Sequence, residues 1–298
     1  MPHTARGWKG DVTMDCPSVT AWRVARHRAR HQVLEKGAVF ADPLAIAMVG
    51  GDEAALAAPD GTPAERHFRL FLAIRSRIVQ DMLARAVQRG MRQAVVLGAG
   101  LDTLGLRNPH AACGVRVFEV DRPAMQDWKR GHIARAGLAV PDSLAFVPVD
   151  FERDSLLACL AHAGFDVGMP AFFSWLGVVP YLTRVGIENT LRFVARVPQA
   201  EIVFDYGEPV ENYTGAHALR MAERARFVAL AGEPWLSRFN PTDLHAMLRD
   251  TGFATFTDYD RAGIAAYFGW PVPAATGAGP HVVVAHARQG CAVAGPER

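Results

Sequence analysis

No apolar run in the sequence approaches the roughly 20 residues that a membrane-spanning helix needs. Residues 1–16 carry charges but no apolar stretch of the kind a secretory leader requires. Cysteine is scarce: Cys16, Cys113, Cys159 and Cys291 stand far apart and form no C-x-x-C pair. That spacing supports neither a disulfide framework nor a zinc site, and it suits a reducing cytoplasm. An excess of one charge is also missing, since 32 Lys and Arg face 30 Asp and Glu for a formal net charge of +2. Without a concentrated basic face there is no electrostatic case for nucleic acid. Basic residues do gather locally, where Arg23, Arg26, Arg28 and Arg30 alternate with His27 and His31. Internal repeats are absent, and the one biased tract is the Ala/Gly/Pro-rich stretch 271–280. The expectation is a soluble cytoplasmic protein that acts on a small molecule, without membrane or nucleic-acid partners. Its oligomeric state is not legible.

What is present is a chain of 298 residues, 50% hydrophobic, long enough for one large domain or a core with an elaborated cap. The first 90 residues read as helical, a cap or lid. Ser18 or Thr20 caps a helix running to about residue 35, a short helix follows at 44–49, and apolar residues recur at helical period through 64–89. Residues 91–298 then alternate. Strands are predicted at 93–97, 115–121, 144–149, within 171–182, and at 201–206, with helices between them. Such alternation implies a mostly parallel sheet covered on both faces, a Rossmann-like α/β core. The ending differs, with a helix at 241–251 and strands at 255–259 and 281–287. This late hairpin is expected to add an antiparallel edge strand, which dinucleotide dehydrogenases usually lack. A helical insertion at about 210–240 is expected to turn Ala218, Leu219, Ala222, Phe227, Val228 and Leu230 toward an acceptor pocket.

In an open α/β sheet the ligand lies outside the carboxyl ends of the strands, so residues ending strands carry the chemistry. The first strand runs into Gly98-Ala99-Gly100-Leu101-Asp102-Thr103, where glycines let the backbone turn tightly against a ligand. A dinucleotide fingerprint needs a third glycine where this chain has Thr103, which counts against a nicotinamide oxidoreductase. The second strand ends Glu119-Val120-Asp121, and an acid at its tip can accept both hydroxyls of a ribose. Asp121 could instead pair with Arg122 or cap the next helix. The third strand ends Val149-Asp150-Phe151, where a carboxylate can accept an adenine amino group and the phenyl ring can pack on the base. Asp150 could equally cap the following helix. Glycine turn, ribose acid and adenine acid on three successive strands are far more specific together than apart.

These strings resemble the leucine carboxyl methyltransferase family and its bacterial relatives that methylate small acids and polyketide carboxylates. The resemblance covers about residues 18–209. It rests on Thr20-Ala21, Ala25 and Arg28-Ala29, on Phe40-Ala41-Asp42-Pro43-Leu44, on Ile74-Arg75-Ser76-Arg77, and most strongly on Val96 through Thr103. Phe118 through Pro123 and Val147 through Phe151 extend it. It implies a class I methyltransferase fold with S-adenosylmethionine as cofactor. By the same resemblance Arg75 would hold the carboxylate of the methionine moiety, Gly98 and Gly100 the methionine–ribose segment, Asp121 the ribose, and Asp150 with Phe151 the adenine. An arginine fork suits a carboxylate; a solvated helix face is the alternative for Arg75. The chain departs from the family pattern at Phe151, where leucine is usual. It departs also at Leu104, in place of an arginine, and at Leu176, in place of a glutamate, so Leu176 would offer the cofactor an apolar or backbone contact.

Transfer from a sulfonium needs an in-line nucleophile more than a strong acid or base. A carboxylic acid, with a pKa near 4, is ionised at neutral pH, whereas a phenol, with a pKa near 10, wants a general base. No Ser-His-Asp order with a nucleophile elbow is present. His27 and His31 share a helical spacing, but no third ligand follows at a metal-binding interval. Arg28 and Tyr206 are the candidates for the acceptor, with a packed, hydrogen-bonded side chain as the alternative for Tyr206. The expected activity is methyl-ester formation on a small, largely apolar carboxylic acid, with phenol methylation, a nicotinamide oxidoreductase and a non-catalytic nucleotide-binding protein as alternatives.

Overall fold

The computed structural model describes residues 17–150, 153–272 and 277–288. The Ser18 hydroxyl accepts the Ala21 N–H and so caps α1 (Val19–Leu34). Two short helices, α2 (Ala45–Val49) and α3 (Glu53–Leu56), pack beneath it. Ala25, Ala29, Met48, Val49 and Leu56 form a small core there with Leu101, Met125 and Ile133. Thr62 caps α4 (Pro63–Gln88), with proline at the first helical turn, where its missing N–H costs nothing.

The alternating part follows as β1 (Gln93–Leu97), α5 (Leu104–Arg107), β2 (Arg116–Asp121), α6 (Pro123–Arg135) and β3 (Leu144–Pro148). It continues as α7 (Leu156–His162), β4 (Ala171–Trp175), α8 (Arg184–Arg196), β5 (Glu201–Gly207), α9 (Gly215–Leu230), α10 (Pro241–Thr251), β6 (Phe253–Tyr259), α11 (Arg261–Tyr267) and β7 (Pro280–Ala287). The seven strands form one sheet in the order β3-β2-β1-β4-β5-β7-β6. Pairings among β1 to β5 are parallel, and β7 runs antiparallel to both its neighbours. The expected antiparallel hairpin closes the sheet, but its antiparallel strand, β7, is not at the edge where the sequence reading placed it. It lies inside the sheet, and β6 takes the edge.

Alternate strand residues supply the two faces. Val95, Leu97, Phe118, Val120, Phe173, Trp175, Ile202 and Phe204 meet α7, α8 and α10 on one side. Ala94, Val96, Val117, Phe172, Val203, Val282 and Val284 meet the inner half of α4, from Ile74 to Val87, on the other. The outer half of α4 projects past the sheet toward α1 and α9. On α9 the expected apolar face is only partly turned inward. Val228 is buried, but Leu219 is 70% and Leu230 79% exposed. Among the described residues no helix is long and apolar enough to cross a membrane.

Candidate cofactor and acceptor site

The strand order places the topological switch between β1 and β4. After β1 the chain builds β2 and β3 on one side, then crosses to build β4 and β5 on the other. In an open α/β sheet the connections that part at such a switch point are where a ligand crevice is expected, at the carboxyl edge.

Gly98, at φ +65°, makes the turn out of β1; a Cβ there would collide with Cγ2 of Val178 in the segment after β4. Only glycine satisfies both the dihedral and the contact. Two residues on, the Gly100 N–H donates to Oδ2 of Asp121 at 2.6 Å, and the Arg122 N–H donates to Oδ1 at 2.8 Å. The glycine turn and the acid ending β2 are thus locked together. Burial pushes the Asp121 carboxyl above its ordinary range, against the pull of those two N–H groups. Glu119 is withdrawn: it is buried in an ion pair with Lys129, whose Nζ also donates to the Asp102 carbonyl at 2.6 Å. The Val149 N–H donates to the Asp121 carbonyl at 2.9 Å, which brings Asp150 alongside. Asp150 is partly exposed, with Arg153 at 3.7 Å. Phe151 lies outside the described residues.

Across the crevice, Leu176 packs against the core on the α4 side. Gly177 follows with φ +72°, and its N–H donates to Oδ1 of Asp205 at 2.5 Å. The other oxygen of Asp205 accepts from Nη1 of Arg75 at 2.6 Å. Arg75 is buried, and a Cβ on Gly177 would stand 3.0 Å from its Nη2. Arg75, Gly98, Gly100, Asp121, Asp150 and Leu176 therefore come to one edge of the sheet from five separate elements. Asp205 is the residue that reading the sequence missed. Its signal was an acid ending a fifth strand, overshadowed by the neighbouring Tyr206.

The two residues expected at the acceptor are engaged elsewhere. Arg28 is buried and donates to Asp42 Oδ2 at 2.5 Å, Asp102 Oδ2 at 3.0 Å and the Thr103 hydroxyl at 3.2 Å. Thr103 in turn donates to Asp42 at 2.8 Å, and Arg107 stands 3.4 Å from the same carboxylate. This network joins α1, the Asp42 turn and the glycine loop, and it leaves Arg28 no free carboxylate-binding fork. The position that broke the dinucleotide pattern, Thr103, is its hub. Tyr206 is 2% exposed, donates to Asp258 at 2.7 Å and stacks on His281. It packs inside the β5–β7–β6 end of the sheet.

The chain after α9 folds back over the mouth. The Leu236 N–H donates to the Pro180 carbonyl at 2.7 Å, and the Ser237 hydroxyl donates to the Leu182 carbonyl at 2.6 Å. Glu233 accepts the Thr20 N–H at 2.9 Å, joining the insertion to the start of α1. α1, the outer half of α4 and this insertion thus meet one another on that side of the fold.

Residues 21–195, more than half of the chain, match the family model of the leucine carboxyl methyltransferases. A candidate S-adenosyl-L-methionine-dependent methyltransferase of Frankia alni is 32% identical over 255 residues, 82% of this chain and 85% of that protein. The candidate S-adenosyl-L-methionine-dependent methyltransferase YktD of Bacillus subtilis is 33% identical, and the match spans 61% of this chain and 60% of that protein. Among solved structures the chain is similar to magnesium protoporphyrin IX methyltransferase from Synechocystis with bound S-adenosylhomocysteine. There the identity is 12%, the coverage 89% of this chain and all of the other, and the TM-score 0.46. The fold is that of the class I S-adenosylmethionine-dependent methyltransferases. Within that class, the chain belongs to the leucine carboxyl methyltransferase family.

Proposed function

We propose that this chain moves the methyl group of S-adenosylmethionine onto a carboxylate oxygen of a small acceptor, forming a methyl ester. The observation that carries this reading is the row of groups along one crevice: Arg75 held by Asp205, the Gly98–Gly100 turn, Asp121 and Asp150. A cofactor lying along that row would set its methionine carboxylate on the free nitrogens of Arg75. Its ribose hydroxyls would donate to the remaining lone pairs of Asp121, and its adenine amino group to Asp150. At Gly98 the turn packs directly against Val178, where a Cβ would collide, and this sets the path of the backbone along that row. The sulfonium supplies an already activated methyl group.

The protein's part is then to position the acceptor and exclude water. Acids beside the crevice are occupied: Asp205 by Arg75 and Gly177, Asp121 by two backbone N–H groups, and Asp102 by Arg28. A carboxylate acceptor needs none of them as a base, being ionised at neutral pH. Screening methyl-labelled S-adenosylmethionine against panels of carboxylic acids, phenols and amines tests the reading. The expected product releases its label in mild base, as an ester does. A base-stable methyl ether would replace this reading with phenol methylation.

A further inference from the structure

Phe68, in the outer half of α4, is ringed by basic groups from two other helices. The Arg224 guanidinium of α9 lies over its face at 3.6 Å. Arg23 of α1 stands 5.4 Å from the same ring and 5.4 Å from Phe227. His27 of α1 meets the ring edge-on at 5.1 Å. Among the described residues neither a carboxylate nor a hydrogen-bond acceptor reaches Arg224. The buried Nδ1 of His27 has no hydrogen-bond partner there either. Burial, then the charge of Arg23 and, less strongly, those of Arg238 and Arg75, pushes Arg224 down to about 10 against the opposing pull of Tyr181, so it remains a cation at neutral pH. A half-buried cation without a counter-charge is costly to a fold, and such a cost is usual where a ligand supplies the missing charge.

The position of this cluster limits what it can bind. Phe68 and Arg75 are two turns apart on one face of α4, about 10 Å along its axis. Arg224 therefore stands outward of Arg75, under the roof formed by α1 and α9. An arginine gripping the attacking oxygen would also slow the reaction. Methylation cancels the carboxylate charge, so such a cation would stabilise the ground state more than the transition state. A cation two turns away escapes that penalty.

We propose that Arg224, with Arg23 beside it, forms an anion subsite in the outer acceptor pocket, and that the acceptor carries a second anionic group, carboxylate or phosphate, that is not methylated. The inference rests on the reading of the crevice as a methyl-transfer site. It replaces a largely apolar acceptor with an elongated one, charged at its far end and packed on Phe68 and Phe227.

The test uses the full chain loaded with S-adenosylhomocysteine. Binding is measured for a length series of α,ω-dicarboxylates, monocarboxylates of matching length, and ω-phosphonocarboxylates, all at one ionic strength. The best dianion should bind at least about tenfold more tightly than its monocarboxylate, since a half-buried arginine makes charge-assisted bonds. Arg224→Gln should erase that advantage and leave S-adenosylhomocysteine affinity unchanged, which also reports that the variant folds. Arg224→Lys, keeping the charge, should retain part of it. The better of the two dianion series identifies the distal group as carboxylate or phosphate. Equal affinity for dianions and monoanions, an advantage that survives Arg224→Gln, or no dianion binding at all would each overturn the proposal. A methyl ether in the transfer assay would instead defeat the carboxyl reading while leaving an Arg224-dependent dianion preference standing.

Discussion

Asp205 holds Arg75 with one carboxylate oxygen and the Gly177 N–H with the other, at 2.6 and 2.5 Å. One acid thereby fixes both the Arg75 guanidinium and the turn out of β4. The arginine comes from α4 and the acid from β5, so the pair ties the outer layer of the fold to the centre of the sheet.

Arg75→Lys should weaken S-adenosylhomocysteine binding nearly as much as Arg75→Ala. An ammonium cannot serve Asp205 and a ligand carboxylate in the planar geometry of a guanidinium. Loss of one charge-assisted contact corresponds to about 1.5–3 kcal/mol, roughly a tenfold to hundredfold rise in Kd. Asp205→Asn acts at one remove and should give a smaller loss in the same titration, because it loosens Arg75 without touching the ligand. Parent-like affinity in Arg75→Ala would remove this residue from the site.

A second prediction concerns stability. Burial and the charges of Arg23, Arg30, Arg69 and Arg224 push the His27 pKa down to about 3. The unfolded chain titrates this histidine near its ordinary value of about 6.5. Between the two values the unfolded state binds a proton that the folded state refuses, so stability falls as pH is lowered from about 6.5 toward 3. At about 1.4 kcal/mol per pKa unit the full effect is several kcal/mol. Urea denaturation from neutral pH to pH near 4.5 should show His27→Gln losing less stability than the parent over that interval. Identical slopes for the two proteins would place the imidazole in water.

Much of this architecture was legible, and the exceptions have physical causes. The inner strands declared themselves as short apolar runs, because a parallel sheet covered on both faces needs no polar alternation. Helices α3, α5 and α11 are too short to show a period. The place of β7 inside the sheet depends on its pairing with both β5 and β6, a relation between distant segments that no local pattern records. Leu219 and Leu230 looked like pocket lining because apolar residues at helical spacing ordinarily face a core, yet α9 turns them to solvent. The positions of Asp121 and Asp150 at strand tips could be read from the pattern. Arg28 could not, since its partner Asp102 is remote in sequence and no spacing signals a buried ion pair of that kind.

The last prediction separates the two roles of Asp121. Its carboxyl is raised by burial and only partly offset by the N–H groups of Gly100 and Arg122. For the free protein, a carboxyl raised in the folded state contributes stability that declines as pH rises through the window from its unfolded to its folded pKa. For the complex the direction reverses. Ribose hydroxyls donate best to the ionised carboxylate, so S-adenosylhomocysteine affinity should fall as the pH drops and Asp121 takes up a proton. Calorimetric titrations from neutral pH to about pH 4 should therefore show a loss of affinity in the parent. Asp121→Asn should bind more weakly at neutral pH, and its affinity should vary less across the same range. An unchanged pH dependence in Asp121→Asn would assign the titration to another group, and unchanged affinity at neutral pH would remove Asp121 from the ribose.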